Sequence, residues 1–127
     1  MLFRSNRPPV DYRLCNQTVT IYHWDSATDE TTRKVIEKGA FLDFKKVGNV
    51  EKTGSSEVNS FLLVIPSDDG ATIPVAVGDK VYHGVGPEIG EGEWSRFIPA
   101  KVSGLVVIKT VDPKYWHDRL VHTEAAG

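Results

Sequence analysis

The stretch Gln17-Thr18-Val19-Thr20-Ile21-Tyr22-His23-Trp24 decides the fold. Nearly every residue in it is β-branched or aromatic, a composition that fits a pleated surface and serves a helix poorly. As a strand it places Thr18, Thr20, Tyr22 and Trp24 on one face, and Val19, Ile21 and His23 on the other. Immediately downstream, Asp25-Ser26-Ala27-Thr28-Asp29 is polar and turn-rich, so the chain is expected to reverse there. Thr31 to Lys38 predicts the returning strand, with charged residues that suit a sheet edge. Gly39 is expected to end it, and Ala40 to Lys46 to form a third strand.

The same grammar continues along the chain. Residues 47–57 carry two glycines and read as a hairpin-type loop. Val58 to Ile65 is the strongest strand signal, because Phe61-Leu62-Leu63-Val64-Ile65 is apolar on both faces and implies burial on both sides. Pro66 ends it, and Ser67-Asp68-Asp69-Gly70 predicts a tight turn with Gly70 left-handed. Val81-Tyr82-His83 is a short strand, Gly84 to Trp94 a long connection with four glycines and a proline, and Gly104 to Val111 a further buried strand. Asp112-Pro113 opens either a helix, as N-cap and first helical residue, or a turn before a last strand at Arg119 to Thr123. No segment sustains a 3.6-residue period. The expectation is an all-β chain: a small barrel or sandwich of about six or seven short antiparallel strands with long loops and at most one short helix. One domain spans 1–127, with 1–16 as an extended N-terminal arm stiffened by Pro8-Pro9.

Composition narrows the function classes. A chain of 127 residues is one domain with a core of its own. With 15 Lys+Arg against 17 Asp+Glu the net charge is −2, which argues against a stand-alone nucleic-acid binder. The single cysteine, Cys15, makes neither an internal disulfide nor a cysteine zinc site. No apolar run approaches the roughly 20 residues of a membrane helix. Met1 to Pro9 lacks the apolar stretch of a signal peptide, so synthesis in a cytoplasm and no membrane partner are expected.

The chemistry-bearing residues form no recognisable catalytic set. The run Gly84-Val85-Gly86-Pro87-Glu88-Ile89-Gly90-Glu91-Gly92-Glu93 fails as a phosphate loop on glycine spacing, on the missing Gly-Lys-Ser/Thr, and on the repulsion of Glu88, Glu91 and Glu93. It reads as a flexible, solvated acidic loop. His23, His83, His117 and His122 show no metal-ligand spacing. His117-Asp118, if both lay on a strand, would face opposite sides and form no relay. Cys15 matches no nucleophile motif, and Asn16-Gln17-Thr18 is a glycosylation sequon without a secretory route. The expectation is a chain that is not an enzyme and takes no cofactor or metal. Trp24, Trp94, Trp116 and Tyr115 are expected to be core or rim residues, with Tyr115, Trp116 and Trp94 also candidates for subunit contact. Arg4 and Arg7 make the arm basic and are candidates for the same role.

The order of segments resembles a known family. Thr18 to Tyr22, an acidic turn and Arg33 to Phe41 look like the opening of small head–tail joining proteins of tailed phages and prophages of Gram-positive bacteria. Val58 to Pro66 is similar to that family's apolar strand ending in Ile-Pro, Gly78 to Gly84 to its "Gly-Asp, apolar, Gly" segment, and Val111-Asp112 to Tyr115 with His122 to its terminal turn and strand. The resemblance spans roughly 17–123, while residues 84–96 and the tail after His122 depart from the pattern. It implies the small β-barrel of head-closure ("stopper") or adaptor-associated connectors. Copies would form a ring at the virion's head–tail interface, joining the portal or adaptor to the tail and helping to close the channel through which double-stranded DNA passes. Glu88, Glu91, Glu93 and Trp94 would then sit on a channel loop, with 47–56 as the other loop for that role. The alternatives are a small β-barrel that binds a ligand or carbohydrate, and a tail-completion protein.

Overall fold

The computed structural model describes residues 12–46 and 59–127. It is all-β. Seven antiparallel strands, β1 (Gln17–Asp25), β2 (Glu30–Lys46), β3 (Asn59–Pro66), β4 (Lys80–His83), β5 (Leu105–Val107), β6 (Thr110–Trp116) and β7 (Arg119–Ala126), form one curled, half-barrel sheet in the order β5-β4-β1-β2-β3-β7-β6. A single 3-10 turn at Trp94–Arg96 is the only helical element among the described residues. Most of the arm (1–11) and the loop at 47–57 lie outside the described residues, and with them Arg4 and Arg7.

The alternation in 17–24 works as its sequence requires, with one addition. Val19 and Ile21 point into the principal core with Leu42, Leu63, Val81 and Ile108. Thr20 and Tyr22, on the opposite face, are also fully buried, because the connection after β4 lies over them. β3 buries Phe61, Leu63 and Ile65 on one face, whereas Leu62 and Val64 on the other are half-buried, so the expected burial on both sides is complete on one face only.

Gly39 does not end a strand. β2 runs through it as one element of 17 residues, pairing with β1 over Glu30–Ile36 and with β3 over Phe41–Lys46. The change of partner needs a bend, and the bend is a bulge: Gln17 pairs with Ala40 and Val19 with Ile36, so Glu37, Lys38 and Gly39 all stand opposite Thr18. Lys38 takes a left-handed φ of 50°. The amides freed from the ladder are met by side chains of β1: Lys38 N–H donates to Thr18 Oγ1 (3.1 Å), and Leu42 N–H to Gln17 Oε1 (2.6 Å). Gly39 helps by being small, since a Cβ there would lie 3.2 Å from Ile36 Cγ2.

The buried strand expected over 104–111 is two strands sharing a corner. β5 pairs with β4 and β6 with β7, so the first and last strands of the sheet are joined through Ile108 and Lys109 alone. Both joining residues are hydrogen-bonded, Ile108 N–H to Asp79 O (2.9 Å) and Lys109 N–H to Ala126 O (2.8 Å). The chain itself thus ties together the two ends of the curled sheet.

Asp112-Pro113 opens neither a helix nor a turn: both lie within β6, paired with Glu124 and Thr123 of β7. Trp116 pairs with Arg119, leaving His117 and Asp118 as a two-residue turn with φ of 53° and 64°. Both positions left-handed is the primed turn geometry that matches strand twist. His117 and Asp118 therefore sit on a turn, not on a strand. The other turn behaves as expected: Gly70 has φ 73°, and Asp69 accepts from Ala71 N–H (2.8 Å) and Thr72 N–H (2.9 Å). These bonds, led by the Thr72 hydroxyl, hold the Asp69 carboxyl well below the usual carboxylate range.

The turn strain is testable. Asp118→Gly removes a Cβ from a left-handed position and is expected to stabilise the fold by about 0.5–1 kcal/mol, read as a rise in urea midpoint at constant slope.

Candidate functional site

Residues 84–104, here called the strap, cross the outer face of β1 and β4, and the sheet's own polar groups hold them. Thr20 Oγ1 accepts from Gly86 N–H (2.8 Å) and donates to Gly84 O (2.7 Å). The Tyr22 hydroxyl donates to Pro87 O (2.6 Å). Arg33, from β2, donates through Nε (3.0 Å) and Nη2 (2.5 Å) to Gly86 O. Gly86 is buried against Tyr22 and Tyr82 so closely that a Cβ would collide with the Tyr22 hydroxyl. This close approach, rather than phosphate binding, explains a glycine at that place in the run.

The far half of the strap hangs on Lys80. Its side chain is buried, and Nζ donates to Trp94 O (2.6 Å) and Phe97 O (2.7 Å) at the 3-10 turn, 4.0 Å from the Trp94 ring centroid. Burial pulls the ammonium below its usual value, and the carbonyls with the ring face supply what water would. Trp94 also stacks on Trp24 (5.9 Å, 12°), whose indole N–H donates to Asp29 Oδ1 (2.8 Å). Tyr22, Phe97 and Leu105 complete a small second core beneath.

The acidic residues ride on top. Glu88, Glu91 and Glu93 are exposed, in keeping with a solvated loop. Glu93 has a local task, accepting from Gly90 N–H at 2.6 Å. The strap is nevertheless bonded to three strands, and Trp94 is half-buried against Lys80 and Trp24, as expected of a core or rim residue, while the glutamates stay exposed.

Tyr115 and Trp116 lie beside the β6–β7 turn. Tyr115 is 56% exposed, whereas Trp116 is partly covered and meets the His117 ring edge-on at 4.8 Å. They lie in β6, whereas Glu88, Glu91, Glu93 and Trp94 lie on the strap, so the six described candidates fall on two separate elements.

Two groupings carry no sequence signal. Tyr12 Oη lies 2.7 Å from His122 Nδ1, and His122 Nε2 lies 3.0 Å from Glu124 Oε2. With neutral imidazole the carboxylate requires the proton on Nε2, so the Tyr12 hydroxyl donates to Nδ1. Burial, then the Cys15 and Glu124 charges, push the Tyr12 phenol up, and burial pushes the Cys15 thiol up. Neither is an activated nucleophile, and the arrangement works as a clasp for the end of the arm. The second grouping is His23 Nδ1 at 2.6 Å from the buried carboxylate of Asp79, whose other oxygen accepts from Ala76 N–H (2.9 Å). Among the described residues no group of three His, Cys, Asp or Glu is placed to hold a metal ion. Tyr12 and His122 are 110 residues apart, beyond any spacing rule. A detectable hint for the strap was the pair of hydroxyl residues, Thr20 and Tyr22, alternating with Val19 and Ile21.

No family model, no curated protein and no solved structure matches this chain.

Two outcomes follow from the strap. Lys80→Met leaves the Trp94 and Phe97 carbonyls without their donor and is expected to cost about 2–4 kcal/mol in urea unfolding, with a red-shifted tryptophan emission. Tyr22→Phe loses the bond to Pro87 O and is expected to be about 1 kcal/mol less stable than wild type at neutral pH. Burial raises the folded Tyr22 phenol above its ordinary 10.0, with Arg33 acting the other way. Its contribution is therefore complete below the unfolded value and is lost as pH rises through the folded value. The gap between wild type and Tyr22→Phe should close above pH 10.0, measured by urea midpoints across that range.

Proposed function

We propose that this chain is a structural protein of the phage neck, working as one subunit of a ring that joins the portal or adaptor of the DNA-filled head to the tail. The reading rests on the ordered resemblance over 17–123 and on an all-β sheet that agrees with the small connector barrel it implies. Its chemistry is docking, with no substrate transformed. The observation that carries the channel role is the strap: a segment with exposed Glu88, Glu91 and Glu93, fastened to the sheet by Thr20, Tyr22, Arg33 and Lys80. A fixed acidic surface repels phosphate, because neutralising contacts are what give proteins affinity for DNA. Facing a lumen, it lets the duplex pass without sticking. Trp94 positions the strap from below and does not line the lumen.

The ligand-binding alternative has one observation in its favour. A groove of about 580 Å³ beside the exposed ring of Phe44, with Phe61, Val102 and Val106 in its walls, has the size and apolar lining of a small-molecule site.

Cryo-electron microscopy of particles carrying the chain with a density tag tests both parts. The tag is expected in a ring at the head–tail junction with the strap turned toward the axis. A tag elsewhere, or absent from particles, overturns the neck assignment. A ring with the strap on its outer surface overturns the channel role.

A further inference from the structure

Where β2 changes partner, part of its edge meets no other strand among the described residues. Over Glu30–Ile36 its one edge pairs with β1, and among the described residues no strand pairs with the other edge until Phe41 meets β3. A strand edge of this length offers a row of outward N–H and C=O groups. Beside it lies a slot of about 630 Å³, bounded by Val35 and Ile36 on the β2 side and by Ile65 and Pro74 on the other. The rim is acidic, with Glu37, Asp68 and Asp69 against Lys34. Of the sheet's two outer strands, β5 has only three residues, and β6 is blunted by Pro113 and by the Lys114–Asp112 ion pair (2.8 Å). The uncovered stretch of β2 has no proline.

An extended, partly apolar, cationic peptide fits such a slot, and this chain contains one. Residues 1–11, Met-Leu-Phe-Arg-Ser-Asn-Arg-Pro-Pro-Val-Asp, oppose Arg4 and Arg7 to the single acid Asp11, with Leu2 and Phe3 to meet an apolar floor. Pro8-Pro9 supplies no amide donors, which leaves Leu2 to Arg7 to form a ladder. Fully extended, such a segment spans about 35 Å. It leaves the described fold at Tyr12, which itself lines the slot and is clasped by His122.

Building on the neck-ring reading, we propose that residues 1–11 of a neighbouring copy add as a strand to the open edge of β2, with Arg4 and Arg7 against the Glu37/Asp68 rim. The exchange links subunits by main-chain hydrogen bonds, and the charges set direction and partner. One subunit offers a slot and the other an arm, so the contact is head to tail, the kind that closes into a ring.

Charge exchange in the full-length chain tests this by sedimentation. Wild type is expected to self-associate with concentration. Arg4→Glu/Arg7→Glu and Glu37→Lys/Asp68→Lys are each expected to weaken association by roughly tenfold or more, and an equimolar mixture of the two variants to regain it, because the acidic arm of one meets the basic slot of the other. In wild type alone, hydrogen exchange at the amides of 31–37 should slow as concentration rises, a readout that does not depend on the variants' folding. Wild type monomeric at its highest soluble concentration, a mixture no more associated than its components, or concentration-independent protection from the chain's own arm overturns the proposal. Any of these beside a ring at the head–tail junction removes the arm exchange and leaves the neck assignment; a working exchange in a chain absent from particles does the reverse.

Discussion

One strand, β1, is enclosed on both faces, and the rest of the molecule follows from satisfying it. Its inner residues, Val19 and Ile21, need only apolar neighbours. Its outer residues, Thr20 and Tyr22, bring hydroxyls into a place that water does not reach. A buried hydroxyl without a partner destabilises a fold, so something must supply acceptors and donors there. The backbone at Gly84, Gly86 and Pro87 does so. Lys80 applies the same rule at the other end of the strap, where a desolvated ammonium is met by two carbonyls and an aromatic face. The first part of the strap, rich in glycine and glutamate, is held by polar groups that the sheet presents, while Ile89, Trp94, Phe97 and Val102 pack it against the second core.

That mode of attachment has a functional consequence. The strap's inner side is committed to the sheet, which leaves its glutamates outward at fixed positions. A surface held in place before its partner arrives loses little freedom when contact is made, or, for a repelling surface, keeps its charge where it is needed. The slot along β2 differs in chemistry, combining apolar walls, an acidic rim and a strand edge that is unpaired among the described residues. The proposed head-to-tail ring calls for two unlike surfaces, and the slot along β2 would be the second.

The uncovered edge and the curl of the sheet share a cause. A strand of 17 residues cannot keep one partner on each side while the sheet closes on its core, so β2 trades β1 for β3 midway. The bulge at Glu37–Gly39 makes the trade, and the side chains of Gln17 and Thr18 replace the ladder bonds it breaks. The corner at Ile108 and Lys109 is its counterpart across the sheet.

Much of this was legible from residues in order. Alternation at 17–24 and the apolar run at 61–65 identify strands because side chains of a strand alternate between faces; Gly70 identifies a left-handed turn because other residues clash there. The exposure of Glu88, Glu91 and Glu93 follows from like charges a few residues apart. What required the tertiary structure was every decision made by a distant partner. Gly39 is a bulge and not a stop because Thr18 and Gln17 receive the freed amides. Asp112-Pro113 begins no helix because β7 offers a ladder to the residues around it. Lys80, which local sequence would place in water, lies beneath Trp94, and Tyr12 meets His122 across 110 residues. Local sterics and periodicity are written along the chain, whereas hydrogen-bond satisfaction is settled between segments that only the fold brings together.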